Sequence, residues 1–292
     1  MTRLAALMTI AMALAACNTS ADEPSTSTTT SAATSTTTTT TATTTTVEAV
    51  PDCLAGNLPF AEQGIVAALD SPQPDATTVG GIRWQSEDGC ERVIVEFLSE
   101  GGSPATRLGP VGVTLAADTG IVRITLPEEV EATAIGDSLI TGGLVDHIYV
   151  VEGVQEDGLV VDIHLAAHAA ARAFTTNSPS RLVVDLRPTS EDPIGSAASG
   201  SDRVVVASPL PGPSLYPLQV AGYAAPGVDA VTVTLTANDR TALERSVSTV
   251  SDNHVWRAFA MTISDGPSGV VLLQVTDDAA ADDGVIVELD LP

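Results

Sequence analysis

Short runs of apolar residues, many alternating with polar ones, recur along the chain from about residue 90. In the first half they occupy 92–98, 120–126, 147–152, 159–165 and 181–186, with Gly, Asp or Pro between them. β-Branched residues dominate these runs, and no long helical period competes. Short strands divided by turns predict a β-sandwich. The preceding stretch, 62–69, is expected to form a short helix or a loop.

A second group of strands follows in the last third of the chain. The runs lie at 203–207, 217–224, 231–236, 256–263, 269–275 and 284–289. In 231–236 Val and Leu share one face and Thr the other, as in a half-buried strand. So many strands in so short a stretch predict an immunoglobulin-like sandwich, with Trp256 as the best candidate for its core aromatic. The fold class is therefore all-β, with two β-sandwich domains.

The first residues have the pattern of an export signal. Residues 1–16 carry one charge, Arg3, and then an apolar run that is too short to cross a bilayer as a helix. The run ends in small residues before Cys17 and matches the bacterial lipobox, so we expect residues 1–16 to be cleaved and Cys17 to carry lipid. The alternative is an ordinary secretory signal with an incidental Cys. Either way the protein works outside the cytoplasm.

One segment of biased composition precedes the first predicted domain, and another separates the two domains. Residues 17–50 are mostly Ser, Thr and Ala, cannot form a core, and predict a disordered stalk, either bare or carrying O-linked sugars. Residues 189–202 contain no apolar run and predict a linker. The predicted domains are therefore 51–188 and 203–292.

The net charge of the chain disfavours some kinds of binding partner. Twelve Arg and no Lys stand against 37 Asp and Glu, a formal net charge of −25. Such a surface repels nucleic acid and anionic lipid. Membrane association is therefore expected to depend on the lipid on Cys17, at the outer face of the cell membrane.

The cysteines that remain in the predicted domains form an even pair. In an exported protein Cys53 and Cys90 predict a disulfide. The alternative is a metal ligand or a catalytic thiol, but neither Cys has a His or a second Cys at ligand spacing.

The first predicted domain resembles the AMIN-like domain of actinobacterial lipoproteins. The similarity covers about 90–188 and includes the run CERVIVEF from Cys90, the strand end DIHL, and the closing PSRLVVDL. It implies a β-sandwich that localises envelope proteins. Several domains of the family bind peptidoglycan, and the AMIN-like branch supplies no enzymatic role to carry over to this chain. Arg181 and Asp185 are four apart on one predicted strand and share a face. They form either a cross-strand ion pair or a contact to polysaccharide.

The second predicted domain resembles the Gmad immunoglobulin-like domain, which is linked by name to bacterial spore germination. The segment SPLPGPSLYPLQVAGYA, 208–224, is similar to the opening of that family, and DDGVIVELDLP fits its closing strand. Where the family usually has a Phe-Glu pair, this chain has PGVD at 226–229. The resemblance implies a fold and an envelope setting rather than a reaction.

The sequence contains no recognisable catalytic constellation, phosphate loop or cofactor motif. His164 and His168 are four apart, but without a third ligand they predict exposed imidazoles rather than a metal site. The acidic cluster of Asp277, Asp278, Asp282 and Asp283 before Gly284 predicts a solvated hairpin loop rather than a calcium site. We therefore expect a non-enzymatic, lipid-anchored envelope protein that binds peptidoglycan or an envelope partner. The alternatives are a solute- or signal-binding lipoprotein and, less favoured, an accessory of a cell-wall hydrolase.

Overall fold

The structure is a computed structural model that describes residues 53–132, 138–140, 143–153, 158–194, 199–249 and 255–292. The predictions for the signal peptide, for lipid on Cys17 and for the stalk lie outside these residues. The described residues belong to one compact unit. The described residues contain strands and no helix, so the all-β prediction is confirmed. Consistently, no helix in the described part of the chain could span a bilayer.

Twenty strands are numbered here in chain order. The first eleven are β1 (Gly64–Leu69), β2 (Ala76–Glu87), β3 (Cys90–Ser99), β4 (Val111–Ala116), β5 (Ile121–Thr125), β6 (Glu131–Ala132), β7 (Ser138–Leu139), β8 (Val145–Glu152), β9 (Leu159–Leu165), β10 (Ala167–Thr176) and β11 (Arg181–Pro193). The others are β12 (Ser199–Gly200), β13 (Val204–Ser208), β14 (Gly212–Pro213), β15 (Leu218–Ala224), β16 (Ala230–Ala237), β17 (Arg240–Ser248), β18 (Trp256–Ile263), β19 (Gly269–Asp277) and β20 (Ala280–Leu291).

The strands form three sheets, one of which runs through both halves of the molecule. Its order is β1-β4-β5-β9-β8-β18-β15-β13-β12, with β7 beside β8. The two smaller sheets have the orders β10-β11-β3-β2-β6 and β14-β20-β19-β16-β17. The long sheet passes from one half to the other where β8 and β18 pair in parallel, Val151 opposite Trp256.

Each smaller sheet packs on its own part of the long sheet. In the first sandwich, Val93, Val95 and Phe97 of β3 meet the inward residues of β5, β8 and β9 in one apolar core. In the second sandwich, Val220 and Phe259 of the long sheet meet β16, β19 and β20 in another. The period-2 alternation of these strands sends every second side chain into a core.

Two segments for which the sequence made a specific prediction differ from it. Residues 62–69 form neither a helix nor a loop, because β1 covers Gly64–Leu69 and pairs with β4. Strand β11 continues to Pro193, inside the predicted linker. Beyond it Ile194 is 5% exposed and joins the first core, and so does Val255 from the second half of the chain. The two halves are therefore more tightly joined than a polar linker implies.

Candidate functional site

The outer face of the first smaller sheet brings together several charged side chains from four strands. Its strands β2, β3, β11 and β10 send alternate residues into the core, and the residues between them point outward. In register across the sheet, Arg83 lies opposite Ile94, Glu96 opposite Arg181, and Asp185 opposite both Arg92 and Arg172. We call this surface the arginine face; its charged residues are Arg83, Glu87, Arg92, Glu96, Arg172, Arg181, Asp185 and Arg187.

One group of three charges on this face is accessible to solvent. Arg83 donates from one terminal nitrogen to Glu96 Oε2 at 2.8 Å, and Arg181 Nε lies 3.0 Å from Oε1 of the same carboxylate. The Arg83 and Arg181 side chains are 62% and 39% exposed. The Nε–H of Arg181 is not aligned with any acceptor among the described residues. Two guanidinium groups therefore share one carboxylate at the surface.

A second group of three repeats this arrangement in a buried setting. Asp185 is fully buried and accepts hydrogen bonds from Arg92 Nε at 2.6 Å and from Arg172 Nε at 2.9 Å. A buried carboxylate needs such partners, because an unpaired charge in the interior is strongly destabilising. This group therefore stabilises the fold and cannot contact a ligand through Asp185.

The buried group also fixes the start of the folded chain. Arg172 donates to the carbonyl oxygens of Cys53 and Ala55, at 3.1 and 2.5 Å. The Phe60 ring lies 4.8 Å from the Arg172 guanidinium and 4.9 Å from that of Arg187. Cation–π contacts of this kind stabilise an arginine without neutralising it. Arg187 is exposed and has no ion-pair partner among the described residues.

The arginine face differs in charge from the rest of the molecule. Five Arg lie on it against the three acids Glu87, Glu96 and Asp185, whereas the whole chain has a net charge of −25. Because charges beyond roughly 8 Å are screened at physiological ionic strength, a ligand at this face responds mainly to the local excess of Arg.

Two residues of the arginine face, Arg181 and Asp185, were predicted from the sequence to share one face of a strand. Arg181 and Asp185 do share it, but they do not pair with each other: each forms a cross-strand ion pair with another residue, Glu96 and Arg92 respectively. Asp185 is buried, so of the two only Arg181 can contact a ligand. Sequence reasoning missed Arg83, although alternation along β2 could have placed it outward.

A second cluster, built mainly of aromatic and apolar side chains, lies where the two sandwiches meet. Tyr149, Val151, Val160, Val205, Tyr223 and Trp256 form a small buried apolar group there, which we call the junction cluster. Tyr149 is its centre, because its ring contacts those of Trp256 at 5.1 Å and Tyr223 at 5.5 Å between centroids. Trp256 is buried, at 4% exposure, but it lies in the junction cluster and not in the core of the second sandwich, where it was predicted.

A fully buried carboxylate lies beside the junction cluster. Asp162 accepts hydrogen bonds from Arg123 at 2.9 and 2.7 Å and another from the Tyr223 hydroxyl, which comes from the second sandwich. Hydrogen bonding to Asp162 raises the pKa of Arg123, and burial raises the pKa of Tyr223 well above its usual value. Tyr223 therefore remains protonated and donates to Asp162 across the junction.

His164 completes this network and corrects one prediction. It is 1% exposed, not an exposed imidazole, and its Nε2 lies 3.4 Å from the Tyr223 hydroxyl oxygen. Burial lowers the pKa of His164 to about 4. Because Asp162 and His164 are both inaccessible, a substrate could reach them only if the sandwiches separated. The network is therefore a structural connection.

The predicted disulfide is confirmed, since Cys53 and Cys90 are bonded with their Cα atoms 6.1 Å apart. Among the described residues, the one cluster with enough potential metal ligands is Cys53, Glu87 and Cys90, and the disulfide occupies both sulfurs. His164 and His168 lie on different strands, β9 and β10.

The expected solvated hairpin loop is wrong for Asp277, which is 1% exposed. It pairs with Arg203 through a hydrogen bond of 2.6 Å from Nε. Asp278 is exposed and bonds the Thr232 hydroxyl. The charge of Asp277 is therefore used inside the second half of the chain rather than offered to a cation.

A cavity of about 510 Å³ opens at one end of the first sandwich. Leu165 and Ile194 contribute apolar walls, and Glu62, His168 and Ser190 contribute polar groups. Small-molecule sites are mainly hydrophobic and aromatic with a few polar groups, and this lining is more polar than that and includes no Phe, Tyr or Trp. The cavity is the feature that bears on the alternative of a solute-binding protein.

No model of a protein family matches the chain, and no curated protein matches it either.

Proposed function

We propose that this protein is a non-enzymatic, lipid-anchored cell-envelope protein that binds cell-wall material, in the first instance peptidoglycan, through the arginine face. The observation that carries the proposal is the exposed group of Arg83, Glu96 and Arg181 on an open strand face. Guanidinium groups that share one carboxylate keep N–H donors directed to solvent, and such donors suit extended polymers rich in oxygen.

Two further features support the envelope setting. The Cys53–Cys90 disulfide is of the kind that persists in oxidising compartments outside the cytoplasm. The resemblances to AMIN-like and Gmad-type domains, which we propose as the families of the two sandwiches, suggest the same setting. An envelope partner protein is the second ligand that the same face would suit.

The test is co-sedimentation of the compact unit, residues 48–292, with purified peptidoglycan sacculi. We expect saturable binding that the R181Q variant weakens. Arg240 is also exposed but lies on β17, away from the arginine face, so R240Q is the matched control and should bind as the wild type does. Absence of binding by the oxidised wild-type unit would overturn the proposal for wall material and direct the search to crosslinked partner proteins.

The cavity beside His168 supports a second candidate, a solute- or signal-binding lipoprotein. In that case small polar solutes would raise the unfolding temperature of the same unit, because a ligand that binds only the folded state stabilises it. Substituting Glu62 by Gln at the cavity would reduce that shift, whereas R181Q would leave it unchanged.

A further inference from the structure

The exposed charged group has hydrogen-bonding capacity that its internal contacts do not use. A guanidinium has five N–H donors in a planar fork. Arg83 directs one terminal nitrogen at Glu96, and the Arg181 Nε–H lies close to the same carboxylate without being aligned with it. Because that Nε atom is itself buried, a ligand would meet the terminal nitrogens of the two side chains, which are 62% and 39% exposed. Exposed ion pairs of this kind contribute little to stability. Their donors are therefore available to a ligand at small cost.

The arrangement of the two guanidinium groups favours a tetrahedral anion. Each oxygen of Glu96 faces one arginine, Oε2 towards Arg83 and Oε1 towards Arg181. A further anion must approach from the solvent side and bond both forks at once. Phosphate has oxygens in several directions and bonds guanidinium groups in a bidentate manner, whereas the two oxygens of a carboxylate lie in one plane.

A further positively charged side chain lies on β11, the strand that carries Arg181. Arg187 is six residues beyond Arg181 on β11, so the two share a face and are separated by about 20 Å at 3.3 Å per residue. The negative charge of Asp185, which lies between them, is buried and paired with two Arg. A single small anion reaches one of these points, but a polymer with repeated charges can occupy both, which raises its affinity by multivalency.

We propose that the arginine face recognises a phosphate-bearing polymer of the cell wall. Arg83 and Arg181 bind one phosphate group and Arg187 binds another. This inference rests on the proposed function, because it names the chemical class of wall material that the same face takes. The negative charge on the remainder of the protein does not prevent it, since that charge is screened beyond roughly 8 Å at physiological salt.

The first experiment measures binding of residues 48–292, oxidised, to long-chain inorganic polyphosphate by titration calorimetry. We expect R83Q/R181Q to bind about tenfold more weakly or worse, since charge-assisted hydrogen bonds are lost. R187Q should also weaken binding, and R240Q should not. R181K keeps the charge but loses the planar fork, so we expect intermediate affinity.

The substitution E96Q gives a change in the opposite direction. It removes the carboxylate that competes for Arg83 and Arg181, so we expect severalfold tighter binding of polyphosphate. A purely structural role for Glu96 predicts no gain. Urea unfolding of each variant checks the fold; because these groups are exposed, midpoints should remain near that of the wild type.

Two comparisons separate failure of this inference from failure of the proposed function. Binding of wild-type protein to intact sacculi that is lost when hydrofluoric acid strips their phosphate polymers supports the inference. Equal binding to intact and stripped sacculi overturns the inference but leaves wall binding in place. Absence of binding to both overturns the two together. Equal affinity for polyglutamate and polyphosphate overturns the assignment to phosphate.

Discussion

Replacing Tyr223 by Phe removes one oxygen atom from the contact between the two sandwiches. The lost hydroxyl donates to Asp162, a carboxylate with no solvent exposure. A hydrogen bond to a charged group contributes about 1.5–3 kcal/mol to stability. Asp162 would keep two hydrogen bonds from Arg123, at 2.9 and 2.7 Å, and so would not be left unpaired. We therefore expect a loss of about 2 kcal/mol in the free energy of unfolding.

Tyr216 offers a matched control for the same chemical change. Its hydroxyl donates to the neutral carbonyl oxygen of Pro267 at 3.0 Å, in a partly buried position. A neutral hydrogen bond of this kind contributes about 1 kcal/mol or less. The Y216F variant should therefore lose roughly half as much stability as Y223F.

The assay is urea unfolding at pH 7, followed by tryptophan fluorescence in a W84F background. The chain has two Trp residues, so Trp256 in the junction cluster becomes the only reporter. Urea is uncharged and leaves ion pairs unscreened. If Y223F and Y216F differ by less than about 0.5 kcal/mol, a spread typical of unimportant surface changes, the Tyr223–Asp162 contact does not stabilise the junction as argued.

Other predictions concern covalent and titrating groups. Replacing Cys53 and Cys90 by Ala opens a loop of 37 residues and should cost about 4 kcal/mol of unfolding free energy; equal urea midpoints for variant and oxidised wild type would contradict this. Because burial lowers the pKa of His164 to about 4, the unfolded chain protonates first as the pH falls below about 6.5, and stability should decline by about 3 kcal/mol down to pH 4. H164Q should lack that part of the decline, and identical pH profiles would refute the assignment. The C17S variant should be found in the soluble fraction instead of the membrane fraction. If C17S partitions into detergent as the wild type does, Cys17 does not carry the lipid.

Strand positions could be predicted well where a run rich in apolar and β-branched residues is bounded by turn residues. The prediction for 159–165 coincides with β9, and that for 256–263 coincides with β18. Strand β10 was missed because its inward residues are mostly Ala, which favours helices and shows weak apolar contrast. Strand β17 was missed because it is an exposed edge strand with few apolar residues.

Only those features of the candidate site that depend on residue spacing within one strand could be predicted. The spacing of Arg181 and Asp185 fixes a shared face, but their partners come from distant strands. Arg92 pairs with Asp185 across 93 residues, and Tyr223 bonds Asp162 across 61. Such pairs depend on strand order and register, which no local pattern in one sequence specifies. The continuous sheet through both halves was hidden for the same reason, because it depends on the pairing of β8 with β18.

The attachment of the first described residue has a mechanical consequence. Tension applied to the chain before Cys53 passes through the disulfide to Cys90, at the start of β3. Strand β3 is an interior strand that is hydrogen-bonded to β2 and β11. The load therefore falls on two ladders of hydrogen bonds together and bypasses the edge strand β1, which could be peeled one bond at a time. With the disulfide reduced, the same pull would first detach residues 53–60 and then unzip β1.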